Sequence, residues 1–273
     1  MALEAAWVDG VPAAALALDD RGFAYGDGLF ETLRADRGTI ALWDLHLARL
    51  NDGCARLGFA DPPADLLSGD CARALRGAPD AVLKLVLTHG GGGRGYARPH
   101  GAPIRRILMR HALPQPCDPR GIRVVWCATR LPLDPRLAGL KHLNRLHQVL
   151  ARAEVDAAGA DEGLCLDASG RVACATAANV FAVVDGVVRT PAIEAAGVAG
   201  VARAALLADA GFGADVEIGE LQPADLARAS EIFLSNAVRG VMPVCELDGR
   251  SLSVGPAALA ARQALARRGW GKA

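Results

Sequence analysis

Apolar residues recur at helical spacing in some stretches of the chain and crowd into short strand-like runs in others. Leu42, Leu45, Leu50 and Leu57 fall on one side of a helix over 42–58, and Gly58 ends it. The same spacing predicts helices over 62–76, over 142–158 with Gly159 as its stop, and over 252–268. Compact apolar runs at 81–88, 103–109, 122–128 and 231–235 predict strands, the last continued by Val241-Met242-Pro243-Val244. Trp7-Val8-Asp9-Gly10 followed by 13–18 predicts a small hairpin at a sheet edge, and 163–172, turning at Ala168-Ser169-Gly170, predicts another. Gly26-Asp27-Gly28 makes a tight turn feeding a strand on which Phe30 and Thr32 share a face.

Leu113-Pro114-Gln115-Pro116-Cys117-Asp118-Pro119 breaks this pattern. Its three prolines mark a linker over 114–119, dividing an N-terminal domain, 1–113, from a C-terminal one, 120–273. At 273 residues either arrangement, one large domain or two modest ones, buries a substantial core.

Charge adds little. Thirty acidic residues balance thirty basic ones, so nothing suggests nucleic acid as a partner. No 18-residue apolar run and no signal-peptide pattern suggest a membrane or secretion, and seven cysteines without CxxC spacing argue against a disulfide framework. The expectation is a reducing, cytoplasmic setting. No zinc spacing, nucleophile elbow, Walker motif or strand-borne dinucleotide GxGxxG is present, so no metal is expected.

Lysine is the informative residue. Of thirty basic residues only Lys84, Lys141 and Lys272 are lysines. An amine, unlike a guanidinium, loses its proton when desolvated and attacks a carbonyl, which a Schiff base with an aldehyde cofactor requires. Lys141 follows apolar Leu140 at the mouth of the helix predicted over 142–158.

Lys141-His142-Leu143-Asn144-Arg145-Leu146, followed by Gln148-Val149-Leu150, resembles the lysine segment of the aminodeoxychorismate lyases. These are fold-type IV pyridoxal-phosphate (PLP) proteins related to the branched-chain and D-amino acid aminotransferases. The resemblance runs from about Trp7 to Val244. It implies a small N-terminal α+β domain and a larger C-terminal pseudo-barrel domain, with the cofactor between them.

It also implies roles. Lys141 holds PLP and moves protons, and Thr32 matches a threonine near the substrate. Arg49, in the H-x-x-R-L pattern that begins at His46, binds the phosphate, for which a forked guanidinium is suited. Val201 and Ala202, at a glycine-flanked helix start, and Asn236 and Ala237 would complete the phosphate site. Phe30, Asn144, and Arg94 and Tyr96 on the loop His89-Gly90-Gly91-Gly92-Gly93-Arg94-Gly95-Tyr96 would meet a dicarboxylate substrate. The implied reaction takes aminodeoxychorismate to 4-aminobenzoate and pyruvate, a step toward folate, in a homodimer with residues of both subunits at each site.

One position departs. The family places a glutamate five residues before Asn-aliphatic-Phe, where it pairs with the pyridine nitrogen. Here Asn179-Val180-Phe181 is preceded at that distance by Cys174. A thiol stabilises a pyridinium far less well. Expelling pyruvate creates an aromatic ring and so needs a weaker electron sink than transamination does, which favours a lyase. A D- or branched-chain amino acid aminotransferase and a non-catalytic paralogue are the alternatives, and Asp161 or Glu162 is a substitute carboxylate for the ring.

Overall fold

The computed structural model describes residues 2–60, 62–99, 101 and 104–271. The chain forms two compact units. One holds the chain as far as Pro114 together with Leu140–Asn144; the other holds Gln115–Gly139 and Arg145–Gly271. The lysine segment therefore lies with the first unit, not with the region after the proline-rich linker.

The first unit contains β1 (Leu3–Val8), β2 (Val11–Pro12), α1 (Arg21–Tyr25), β3 (Gly28–Asp36), β4 (Thr39–Ile40), α2 (Trp43–Leu57), α3 (Ala64–Ala74), β5 (Ala81–Thr88) and β6 (Arg105–His111). Its strands make one antiparallel sheet in the order β2-β1-β6-β5-β3-β4. The Asp9-Gly10 turn has both residues at positive φ, 51° and 81°, as a tight hairpin demands. The second arm of that hairpin is only two residues long, and 13–18 does not continue it. Pro103, the first residue of the strand predicted over 103–109, lies outside the described residues.

Alternation along β3 organises this unit. Leu29, Leu33 and Ala35 point into a core shared with Leu50 and Cys54 of α2 and Leu67 and Cys71 of α3. Phe30, Thr32 and Arg34 stand half-buried on the other face. α2 matches its expected span and ends at Gly58 in the left-handed region, φ 69°.

The second unit contains β7 (Ile122–Trp126), α4 (Leu146–Ala157), β8 (Glu162–Leu166), β9 (Val172–Ala175), β10 (Asn179–Val184), β11 (Val187–Pro191), α5 (Val201–Leu207), β12 (Val216–Gly219), α6 (Pro223–Arg228), β13 (Glu231–Asn236), β14 (Gly240–Leu247), β15 (Arg250–Ser251) and α7 (Pro256–Arg267). The sheet runs β12-β11-β10-β13-β14-β7-β8-β9, with β15 beside β14. It curls, because β9 at one end also packs against β10. Alternate residues such as Val124, Leu164, Val180, Ala182, Leu234 and Val244 fill its interior, a pseudo-barrel arrangement. On the opposite face Phe181 stacks on its cross-strand neighbour Phe233 at 4.9 Å and 5°. α5 and α7 cover that region. Among the described residues no helix is long and apolar enough to cross a membrane.

The helix predicted over 142–158 begins only at Leu146. Residues 141–143 instead add to the start of β3: Phe30 N–H donates to Lys141 O at 2.9 Å and Leu143 N–H to Gly28 O at 3.0 Å. Backbone groups used across strands are not available to a helix, and periodicity alone carries no record of that competition. The lysine sits on a strand-like segment, not at a helix mouth.

Candidate active site

The seat of Lys141 is built from the Gly26-Asp27-Gly28 turn outward. A Cβ on Gly28 would lie 2.5 Å from Leu87 O and 2.6 Å from Leu143 Cδ1, so only glycine admits the lysine segment there. Asn144 donates its side-chain amide to Gly26 O at 3.1 Å. That bond fastens the lysine segment to the turn. With its backbone fixed in this way, Lys141 places Nζ 4.3 Å from the centroid of the Phe30 ring. Phe30 and Thr32 share that face of β3.

Behind β3 lies a charged group that the sequence pattern left unremarked. Glu31 occupies a core-facing position between Leu29 and Leu33 and is 2 % exposed. Arg49 Nε donates to its Oε1 at 2.8 Å, a second guanidinium nitrogen of Arg49 bonds Oε2, and His46 Nδ1 meets Oε2 at 2.6 Å. Burial by itself would raise the Glu31 carboxyl. The Arg49 charge and the hydrogen bonds of His46 and Arg49 outweigh it and hold the group at about 2. Burial depresses His46 against the pull of Glu31, and the nitrogen facing the carboxylate is Nδ1. His46 Nε2 is buried with no hydrogen-bond partner among the described residues. The signal in the sequence was a lone acid at a buried period-two position, with His and Arg three apart on the next helix.

The glycine-rich loop is anchored from below. Arg21, 3 % exposed, donates to the carbonyls of Gly95, Tyr96 and Ala97 and pairs with Asp27 at 2.9 Å. Burial raises the Asp27 carboxyl, but hydrogen bonds from Arg98 and Arg21 bring it below its ordinary value. Arg94 is exposed, and Tyr96 lies edge-on to Tyr25 at 5.5 Å while 88 % exposed. Neither is enclosed by its own unit. Nothing local in the sequence distinguishes a buried arginine such as Arg21 from a solvated one.

In the second unit, α5 begins at Val201 with Gly200 as its cap and no side chain capping the first N–H groups. Asn179 holds the turn before it, donating to Val198 O at 2.9 Å. Asn236 spends its side chain locally: Oδ1 accepts from Val238 and Arg239 N–H, and Nδ2 donates to Ala177 O. Ala237 O accepts from the Trp270 indole at 2.8 Å. Any contact of Asn236 or Ala237 with an anion falls to backbone N–H groups.

Cys174 is buried on β9, directly across from Cys165 on β8. Burial pushes its thiol up to about 12, against the attraction of Arg145, so it is neutral at physiological pH. Of the two substitute carboxylates, Asp161 accepts from Arg123 N–H, and Glu162 is anchored through Oε1 to the backbone of Gly163 and to the N–H and hydroxyl of Thr176.

The Lys141 amine and the Arg49 guanidinium of the first unit and, taken separately, the open helix-start N–H groups of the second are each of a kind that fits a phosphorylated aldehyde. The neutral thiol supplies no charge for a ring nitrogen.

Residues 28–247 match the family described as amino-transferase class IV. Aminodeoxychorismate lyase of Vibrio harveyi is 35 % identical over 245 residues, spanning 87 % of this chain and 89 % of that protein. D-Alanine aminotransferase of Bacillus licheniformis is 25 % identical over 246 residues, 88 % and 86 % of the two chains. The crystal structure of 4-amino-4-deoxychorismate lyase from Pseudomonas aeruginosa superposes with a TM-score of 0.89 at 45 % identity, covering 96 % of this chain and 98 % of that one.

Proposed function

Because this chain belongs to the class IV amino-transferase family, we propose that it is a PLP-dependent lyase releasing 4-aminobenzoate and pyruvate from 4-amino-4-deoxychorismate. The observation that carries this reading is the Lys141 amine, held 4.3 Å from the Phe30 ring on the strand that also bears Thr32. Substrate and products balance without any second reactant, so no amino acceptor is needed. PLP supplies an aldehyde that condenses with amines and a ring that accepts the electron pair.

The chain's own groups do the rest. Lys141 Nζ takes the proton from C4 and returns one to the departing enolpyruvyl group. Arg49, Val201, Ala202 and the backbone at Asn236 and Ala237 bind the phosphate. Glu31 fixes the orientation of Arg49 as a bidentate partner. Arg94 and Tyr96 orient carboxylates. Because the loop that bears them is exposed in the single chain, we read it as completing a site in a homodimer. Exposed Leu146, Val149 and Leu150, on one side of α4, supply apolar surface for association.

Purified holoprotein is expected to release pyruvate from aminodeoxychorismate with no keto acid present. Transfer of an amino group to a keto acid, without that release, would establish the aminotransferase reading to which the D-alanine aminotransferase likeness points.

Cys174→Glu tests the weak electron sink. The variant is expected to gain keto-acid-dependent amino transfer by about tenfold, ~1.4 kcal/mol in barrier, while pyruvate release changes little. Unchanged rates of both reactions would show that position 174 does not act on the ring.

A further inference from the structure

The last helix of the chain reaches back to the turn between β13 and β14. α7 ends in a Schellman turn: Gly269, at φ 87°, donates its N–H to Ala266 O at 3.0 Å, and Trp270 donates its backbone N–H to Leu265 O at 3.1 Å. Past that reversal the Trp270 side chain is half-buried, and its Nε1 donates to Ala237 O at 2.8 Å. The indole also lies against Gly240. A Cβ there would stand 2.5 Å from Trp270 Cη2 and 2.7 Å from Cζ3, and the backbone is already at φ 70°. Glycine at 240 therefore serves both the left-handed backbone and the seat of the ring.

Ala237 O and Val238 N–H belong to one peptide plane. Trp270 holds its oxygen, and Asn236 Oδ1 accepts from its N–H at 3.0 Å. That peptide cannot rotate without losing two hydrogen bonds. The preceding peptide, which carries Ala237 N–H, hinges on it through a single Cα and is oriented with it. Joining β13 to β14 does not require the indole, since the Leu234–Met242, Ser235–Val241 and Asn236–Gly240 pairs already do so. The base of the indole is itself tied down. Arg267 pairs with both oxygens of Asp209, at 2.7 and 3.1 Å, and Arg268 donates to Ala208 O at 2.6 Å, both just past the end of α5. Arg262 donates to Val241 O at 3.3 Å. Backbone N–H groups grip an oxyanion best when they are aimed before it arrives, and this turn is aimed from a clamped helix.

We propose that Trp270 is a positioning residue for the cofactor phosphate: its indole N–H sets the Ala237–Val238 peptide so that the N–H groups of this turn meet the phosphate ready-aimed. This rests on the PLP reading above and adds to it a contact from the last turn of the chain. The indole does not touch the anion. Its effect is confined to the part of the affinity that the phosphate contributes.

The test titrates full-length protein, freed of cofactor, with deoxypyridoxine 5′-phosphate and deoxypyridoxine. Neither probe carries an aldehyde, and they differ only by the phosphate. Calorimetry of the native protein is expected to show at least about a hundredfold tighter binding of the phosphorylated probe. Trp270→Phe keeps a ring over Gly240 and loses the donor. It is expected to lose about tenfold of that preference while binding deoxypyridoxine as before. Replacement of Trp270 by 3-benzothienylalanine, which puts sulfur where the indole N–H was, is expected to show the same loss and serves if the phenylalanine variant fails to fold. Both cofactor-free variants are expected to melt within a few degrees of the cofactor-free native protein. An undiminished preference in either folded variant, or equal weakening of both probes with a large fall in melting temperature, would overturn the role of Trp270 and leave the PLP reading standing. No preference in the native protein would overturn the phosphate site itself, and that reading with it.

Discussion

Lys141→Ala is expected to abolish pyruvate release, a loss of at least about a thousandfold, and to leave a protein that borohydride no longer couples covalently to PLP. In the proposed reaction the side chain is asked for two things, the covalent hold on the cofactor and the movement of two protons, and alanine supplies neither. The fold is expected to survive. What seats this residue is its carbonyl, which accepts from Phe30 N–H, together with the Leu143 and Asn144 contacts to the glycine turn. None of these involves the amine. The melting temperature of the cofactor-free variant should match that of cofactor-free native protein within a few degrees. Residual turnover within tenfold of native would remove Lys141 from the chemistry altogether.

Glu31→Gln is expected to change how stability responds to acid. The native carboxyl titrates at about 2, against 4.5 for an unperturbed glutamate. A depressed folded-state value means that stability from this group is fully present above pH 4.5 and drains away as pH falls from 4.5 toward 2. The difference between 4.5 and about 2 corresponds to roughly 3 kcal/mol. Urea unfolding between pH 7 and 2 should show a native acid loss exceeding that of the variant by about this amount. At pH 7 the variant should already be weaker by about 3–5 kcal/mol, because Arg49 keeps its charge with no anion against it. Equal acid sensitivity in the two proteins would mean that the ionised carboxylate contributes no net stability. Since Glu31 also aims Arg49, the variant should bind PLP less tightly.

Much of this architecture is legible in the residues. The helix over 42–58 declares itself through four leucines on one side and a glycine stop, and the structure agrees to within a residue at each end. The strand at 81–88 is as plain, since a compact, mostly apolar run of eight residues is too short for an ordinary helix. The lysine segment is legible in identity and misleading in shape. Its spacing continues that of α4, yet Gly28 opens a space in which residues 141–143 are worth more as a strand. That preference belongs to two segments far apart in sequence, and neither announces it alone. Glu31 illustrates the same limit from the other side. A single acid in a strand reads as solvated until α2 is known to bring both His46 and Arg49 to it. Asn144 stands in a motif that suggests chemistry, and the turn its amide also holds is visible only in the fold.

The borrowing of residues 140–144 by the first unit also bears on how the protein is made. As the chain leaves the ribosome, β3 emerges early, and the Gly28–Phe30 end of it stays unpaired on one edge until a segment beyond the proline-rich linker follows. A bare, apolar strand edge is an invitation to pair with the wrong chain. Fragments ending at Pro114 should therefore precipitate where the whole protein does not, and supplying residues 139–145 as a separate peptide should keep them in solution.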